Sequence, residues 1–186
     1  IDVSLVGSEM CIRDSTIAVE SIYQNIIKIS RSKFFYLDLK LEDTFETRFD
    51  LIIFHAFLVF FFYKKKSISK PNLSQELFDH MFGDFDNNLR EMGFGDIAVN
   101  KKMKVFVTAF YGRIAQYSKG MDAYYSTNDK KLLKKTILNN VYKGAKINEE
   151  ILESFVQYMI NCSNVFLERE EVDNLETNFQ FPRFYN

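Results

Sequence analysis

"LIIFHAFLVFFF", residues 51–62, is the most apolar run of the chain. A membrane-spanning helix needs about 20 consecutive apolar residues. This run is shorter, contains His55, and is bounded by Asp50 on one side and Lys64, Lys65 and Lys66 on the other. It is apolar on every side rather than along one stripe, which describes a helix wrapped by other helices. The spacing predicts a helix from about Thr44 to Lys65, with Asp43 and Glu46 at the separation of a capping box.

Working outward, the 3.6-residue period recurs in both directions. Ile17, Ile22, Ile26, Ile27 and Ile29 form the stripe of an amphipathic helix over 17–31, and 31–43 reads as an irregular connection. Pro71 suits a helix entrance. Leu77, Met81, Phe85, Leu89 and Met92 follow it in steps of about four, up to Gly93, a natural C-cap residue. After the "GFGD" turn, Met103, Phe106, Val107, Phe110, Ile114, Tyr117 and Met121 give the clearest stripe. A shorter helix lies within 126–144. The last helix carries Ile151, Leu152, Phe155, Tyr158, Met159, Cys162 and Phe166 on one face, and the tail 180–186 reads as extended. No strand alternation or internal repeat competes. With 20 Phe, 7 Gly, 2 Pro and no Trp, the chain has few breakers and much aromatic bulk. It is expected to be all-α, a single compact domain of about six helices around an aromatic-rich core.

The start of the chain reads differently. "SLVGSEMCIRDS", residues 4–15, matches no structural period. It back-translates to the transposon-end adapter of sequencing libraries. Residues 1–15 are therefore read as a non-native segment from an assembled environmental read, and 16–186 as the native domain. The excluded stretch takes Asp2, Glu9, Asp14 and Arg13 from a chain of 24 basic and 25 acidic residues. What remains is close to neutral and predicts no global pull toward DNA or anionic lipid. Of the two cysteines only Cys162 is left, which excludes an intrachain disulfide and fits a reducing compartment.

A catalytic constellation is not legible. His55 sits in the apolar helix, where a hydrogen-bonded core histidine is the expectation. His80 and Asp84 are four apart and could begin a metal site, but no HExxH, EF-hand loop, GxSxG, P-loop or dinucleotide fingerprint accompanies them. No metal or other cofactor is assigned. Lys64, Lys65, Lys66, Lys130, Lys131, Lys134 and Lys135 are the basic clusters, read either as solvated faces or as docking points for lipid head groups or ribosomal RNA. Glu168, Glu170, Glu171, Asp173 and Glu176 read as a solvated helix end. Two places are over-specified for packing alone. "LREMGFGD", 89–96, sets Arg90 and Glu91 before a two-glycine turn closing on Asp96, and "AFYGR", 109–113, puts Gly112 inside a helical pattern. A mid-helix glycine costs about 1 kcal/mol relative to alanine.

"EDTFETRFDLIIFHAFLV", "SQELFDHMFGDFDNNLREMGFGDIAV" and "AFYGRIAQY", in that order, resemble the ubiquinol–cytochrome c chaperone family. The residues that match its pattern are Asp43, Arg48, Phe49, His55, Asp84, Leu89, Arg90, Glu91, Gly93, Gly95, Asp96, Phe110, Tyr111, Gly112, Arg113 and Tyr117. The resemblance implies a helical, non-catalytic assembly factor that binds newly made cytochrome b and assists biogenesis of ubiquinol–cytochrome c reductase. It also implies a small partner protein and action near the ribosomal exit region and a membrane surface. Arg48, His55, Asp84, Arg90, Glu91, Gly93, Gly95, Asp96, Tyr111, Gly112 and Arg113 are the family-motif candidates for a client-binding surface. The spacing of 89–96 suggests a bacterial cytoplasmic protein. A peripheral inner-membrane location, or a mitochondrial one in a eukaryote, is the alternative. The competing readings are a peripheral lipid-binding helical protein and a metal-dependent enzyme using His80 and Asp84.

Overall fold

The computed structural model describes residues 4–66, 71–168 and 181–182, with the side chains of 4–16 and 71–72 outside that description. The elements are α1 (Ser4–Ser30), α2 (Lys33–Leu37), α3 (Phe45–Lys65), α4 (Pro71–Glu91), α5 (Asp96–Thr127), α6 (Lys131–Asn140) and α7 (Glu149–Glu168). Six are long and α2 is a single short segment; no strand occurs among the described residues. None of these helices is long and apolar enough to cross a membrane.

The run that decides the fold is the central post. Every residue from Phe49 to Val59 is buried, and α3 packs against α1, α5 and α7. The other contacts run α1 to α4, α4 to α5, α5 to α6 and α6 to α7. The chain therefore winds as an arc around α3. Between α1 and α7, the arc is closed by aromatic rings: Phe34 and Phe35 of α2 meet Tyr158, Phe35 also meets Phe155 and His55, and Phe181 lies 5.0 Å from His55. Such edge-on and tilted ring pairs each add roughly 0.5–1.5 kcal/mol beyond the area they bury.

The structure differs from the local sequence signals at five places. Thr44, rather than Asp43, caps α3, its Oγ1 accepting from the Thr47 amide at 3.1 Å. Asp43 is instead gripped by Arg48, with Nε to Oδ1 at 2.6 Å and Nη2 to Oδ2 at 2.9 Å. The connection 31–43 contains α2, capped by Ser32. Ile17 is 59% exposed, because the inward face of α1 is formed by Ala18, Val19, Ile22, Tyr23 and Ile26. Met92 falls beyond the end of α4 and is exposed for that reason. The backbone of α1 also runs back to Ser4, through a stretch whose pattern predicts no helix. That stretch has no proline, and extending an existing helix adds one bond per residue fixed, so Gly7 alone does not stop it.

Two glycines with the same sequence signal separate here. A Cβ on Gly120 would lie 2.8 Å from Leu133 Cδ2, at the buried crossing of α5 on α6, whereas a Cβ on Gly112 would meet nothing within 4 Å. Gly112→Ala is expected to raise stability by about 1 kcal/mol through helix propensity. At Gly120 the overpacking cost of about 1–3 kcal/mol outweighs that gain, so Gly120→Ala lowers stability. Opposite shifts of the urea midpoint would verify the pair; two shifts of one sign would contradict it.

Candidate functional site

The "LREMGFGD" motif is the two-glycine turn between α4 and α5. Gly93 has φ +87°, a conformation glycine adopts without strain. Its amide donates to Arg90 O at 2.9 Å, and the Phe94 amide donates to Leu89 O at 3.2 Å, closing the end of α4. Gly95 is the N-cap position of α5. Arg90 locks the turn by bonding Asp86 at 2.5 Å and, through Nη1, Asp96 in the first turn of α5. Asp96 also suits the positive end of the helix dipole. Glu91 is exposed beside the turn.

"AFYGR" divides along the helix period. Phe110 and Tyr117 are buried, Tyr111 is 59% exposed with its ring 5.8 Å from Phe78, and Gly112 is exposed. Arg113 turns inward. Its Nη2 lies 2.6 Å from Oδ1 of Asp50, which is fully buried on α3, and its guanidinium sits 5.5 Å from the Phe49 ring. Lys143 Nζ reaches the other carboxylate oxygen from the α6–α7 loop and also donates to Asn140 O at 2.7 Å. Lys143 holds φ +54°, an uncommon backbone state for lysine, and the ion pair supports it. Burial raises the Asp50 pKa and the two cations offset part of that shift. Asp50 was read from the sequence as the edge of the apolar run. It is instead the anchor joining α3, α5 and the α6–α7 loop.

His55 is a fully buried linker of three helices. Its Nδ1 lies 2.7 Å from Leu51 O and 2.9 Å from Ser30 Oγ, and its Nε2 lies 3.0 Å from Tyr158 OH. A neutral ring protonated on Nδ1, donating to Leu51 O and accepting from the Tyr158 hydroxyl at Nε2, satisfies these contacts. Desolvation pushes the His55 pKa down to about 3. Cys162, on the buried face of α7, has its thiol pushed up to about 12 by burial, the behaviour of an inert core thiol.

Arg48 and Asp84 share a cleft of about 100 Å³ between α1, α3 and α4, floored by Phe49 and Phe85. Asp84 accepts the Tyr23 hydroxyl at 2.6 Å, while His80 pairs through Nε2 with Glu20 at 2.9 Å. The two residues read as a possible metal pair are thus committed to different partners. Among the described residues no group of three His, Cys, Asp or Glu is placed to hold a metal ion.

The lysine clusters are also redistributed. Lys130 binds Glu153 at 2.7 Å, and Lys134 binds Glu149 at 2.5 Å and Glu153 at 2.8 Å. Lysines at the start of α6 oppose the helix dipole, and the acids of α7 neutralise them. Lys65 pairs with Asp122 at 2.9 Å and approaches the Phe61 and Tyr125 rings. Lys130, Lys134 and Lys65 thus make ion pairs across helices at the surface; Lys131 and Lys135 stay on the exposed side of α6, and Lys64 is exposed at the end of α3. Glu168 ends α7, and the rest of the acidic stretch lies outside the described residues.

A buried helix held by an internal ion pair and ringed by amphipathic helices defines the protein as an all-α helical scaffold. The chain belongs to the family described as Ubiquinol-cytochrome C chaperone, which matches residues 37–181. Protein CBP3, mitochondrial, of Saccharomyces cerevisiae is 32% identical over 133 residues, covering 69% of this chain and 38% of that protein. The chain thus spans well under half the length of that relative. The crystal structure of the Cbp3 homolog from Brucella abortus superposes with a TM-score of 0.80 at 26% identity, covering 96% of each chain.

Proposed function

We propose that the chain is the helical core of an assembly chaperone that binds newly made cytochrome b and assists biogenesis of ubiquinol–cytochrome c reductase. The observation that carries this reading is the family match across residues 37–181. The surface is in keeping with it. Met92, Ile97, Val105 and Tyr111 expose large apolar side chains on and after the Arg90-locked turn, on one hairpin. A transmembrane client needs apolar cover before insertion, and a folded hairpin with exposed apolar side chains presents such cover. Action is by binding rather than by catalysis. A small protein partner and a position near the ribosomal exit region belong to the same proposal.

Deletion of the gene in its own host tests this reading. Mature reductase is expected to fall several-fold while cytochrome b messenger stays level. Unchanged reductase in the deletion strain would contradict the proposal.

A further inference from the structure

Helix α5 holds no acidic residue between Asp96 and Asp122, yet Lys101, Lys102, Lys104, Arg113 and Lys119 lie in that interval. Arg113 is spent on Asp50, and Lys102 lies over the Phe94 ring at 4.7 Å. Lys101 and Lys104 project from the exposed side. That side is not simply polar. Ile97 is 88% exposed and Val105 60%, and the surface along Asn100, Met103, Lys104, Val107 and Thr108, all on α5, is shallow and open. Positions 97, 101, 104, 108, 111 and 112 are three or four apart and so share one face. Gly112 carries a helix-propensity cost of about 1 kcal/mol that no contact within the described residues requires.

We infer that the outward face of α5, from Ile97 to Gly112, is a docking face for one acidic amphipathic helix of a partner protein. Charge selects the partner: an acidic polar face meets Lys101 and Lys104, with no carboxylate on this stretch of α5 to repel it. Shape selects a helix. At 1.5 Å per residue the face is about 22 Å long, some four turns. Its C-terminal part is low, with Thr108 and Gly112 between the exposed Val105 and Tyr111, so a neighbouring backbone can approach there. A lipid surface would instead favour bulky apolar residues along the centre of the face. The inference does not depend on cytochrome b being the client, since a helix of this chemistry can belong to any partner.

The test uses the whole chain and two pools of synthetic amphipathic helices of about 18 residues, long enough to span the face. One pool has Leu, Ile, Ala or Phe on the apolar face and Glu on the polar face; the other carries Lys in place of Glu. Fluorescence anisotropy is expected to show salt-sensitive binding of the Glu pool and none of the Lys pool. Lys101→Glu with Lys104→Glu should invert that preference. Gly112→Leu should weaken binding at least tenfold, and Gly112→Ala should weaken it while raising stability, a combination that a purely structural glycine would not give. Circular dichroism confirms that the variants fold. Equal binding of both pools, no binding of either, or no inversion by the charge-reversed variant would overturn the inference. So would binding confined to phosphatidylcholine vesicles containing about one third phosphatidylglycerol, which would make the face a lipid surface.

Discussion

Arg113→Met is expected to cost about 3–5 kcal/mol, because it strips the main cation from a carboxylate with no solvent access. Asp50 is 0% exposed and Arg113 only 16%, so water does not replace the lost partner. Lys143 remains, but it is half exposed and enters from a loop. The loss is comparable to much of the stability of a domain, so the variant should also be depleted in cells. A double-mutant cycle isolates the cause. Asp50→Leu combined with Arg113→Met should recover most of what Arg113→Met loses, since removing both charges leaves neither stranded. Urea midpoints read the effect. An Arg113→Met variant within about 1 kcal/mol of the parent would show that the pair is not the anchor described here.

The second large effect is a pH dependence set by His55. Its pKa is about 3 in the folded chain and 6.5 as the ordinary value for the exposed group. Between those values the unfolded chain binds a proton that the folded chain refuses, so stability rises with pH across the window. The contribution is complete above pH 6.5 and is lost progressively as pH falls toward 3, by at most about 1.4 kcal/mol per pH unit. Charging the ring would also break its acceptance of the Tyr158 hydroxyl and loosen the α1–α3–α7 junction. His55→Gln should flatten the slope between pH 6 and 4 while lowering stability at pH 7. A parent chain with the same slope as His55→Gln would mean that other groups set the acid transition.

Much of the fold could be read from the amino acids because α3 is apolar on every side and the surrounding helices are apolar on one. Those patterns depend on local spacing, and local spacing is what a sequence shows directly. The stripes of α5 and α7 were correct for the same reason, with Phe110, Tyr117, Met121, Phe155, Met159 and Phe166 all buried. The ion-pair network was less legible because it is assembled from distant partners. Asp50 looks like a helix boundary until Arg113 and Lys143 are brought to it. Lys130 and Lys134 look like a basic patch until Glu149 and Glu153 fold against them. Gly112 and Gly120 are indistinguishable as letters, and only the position of Leu133 separates them. Two features had a usable signal: the Arg90–Asp96 closure was visible in the motif, and the absence of acids across α5 could have been counted. The reading of residues 1–15 as adapter-derived is a proposal that sequencing of the source gene upstream of Thr16 tests.

The most direct test of the proposed chaperone role is a pull-down of the tagged chain from cells translating cytochrome b, followed by separation of unassembled cytochrome b from mature reductase. A client-binding chaperone should recover the unassembled subunit in excess over the mature enzyme, with recovery lost when translation of cytochrome b is stopped. A folded, well-expressed chain that brings down no unassembled cytochrome b, with the subunit being made in the same cells, would contradict it.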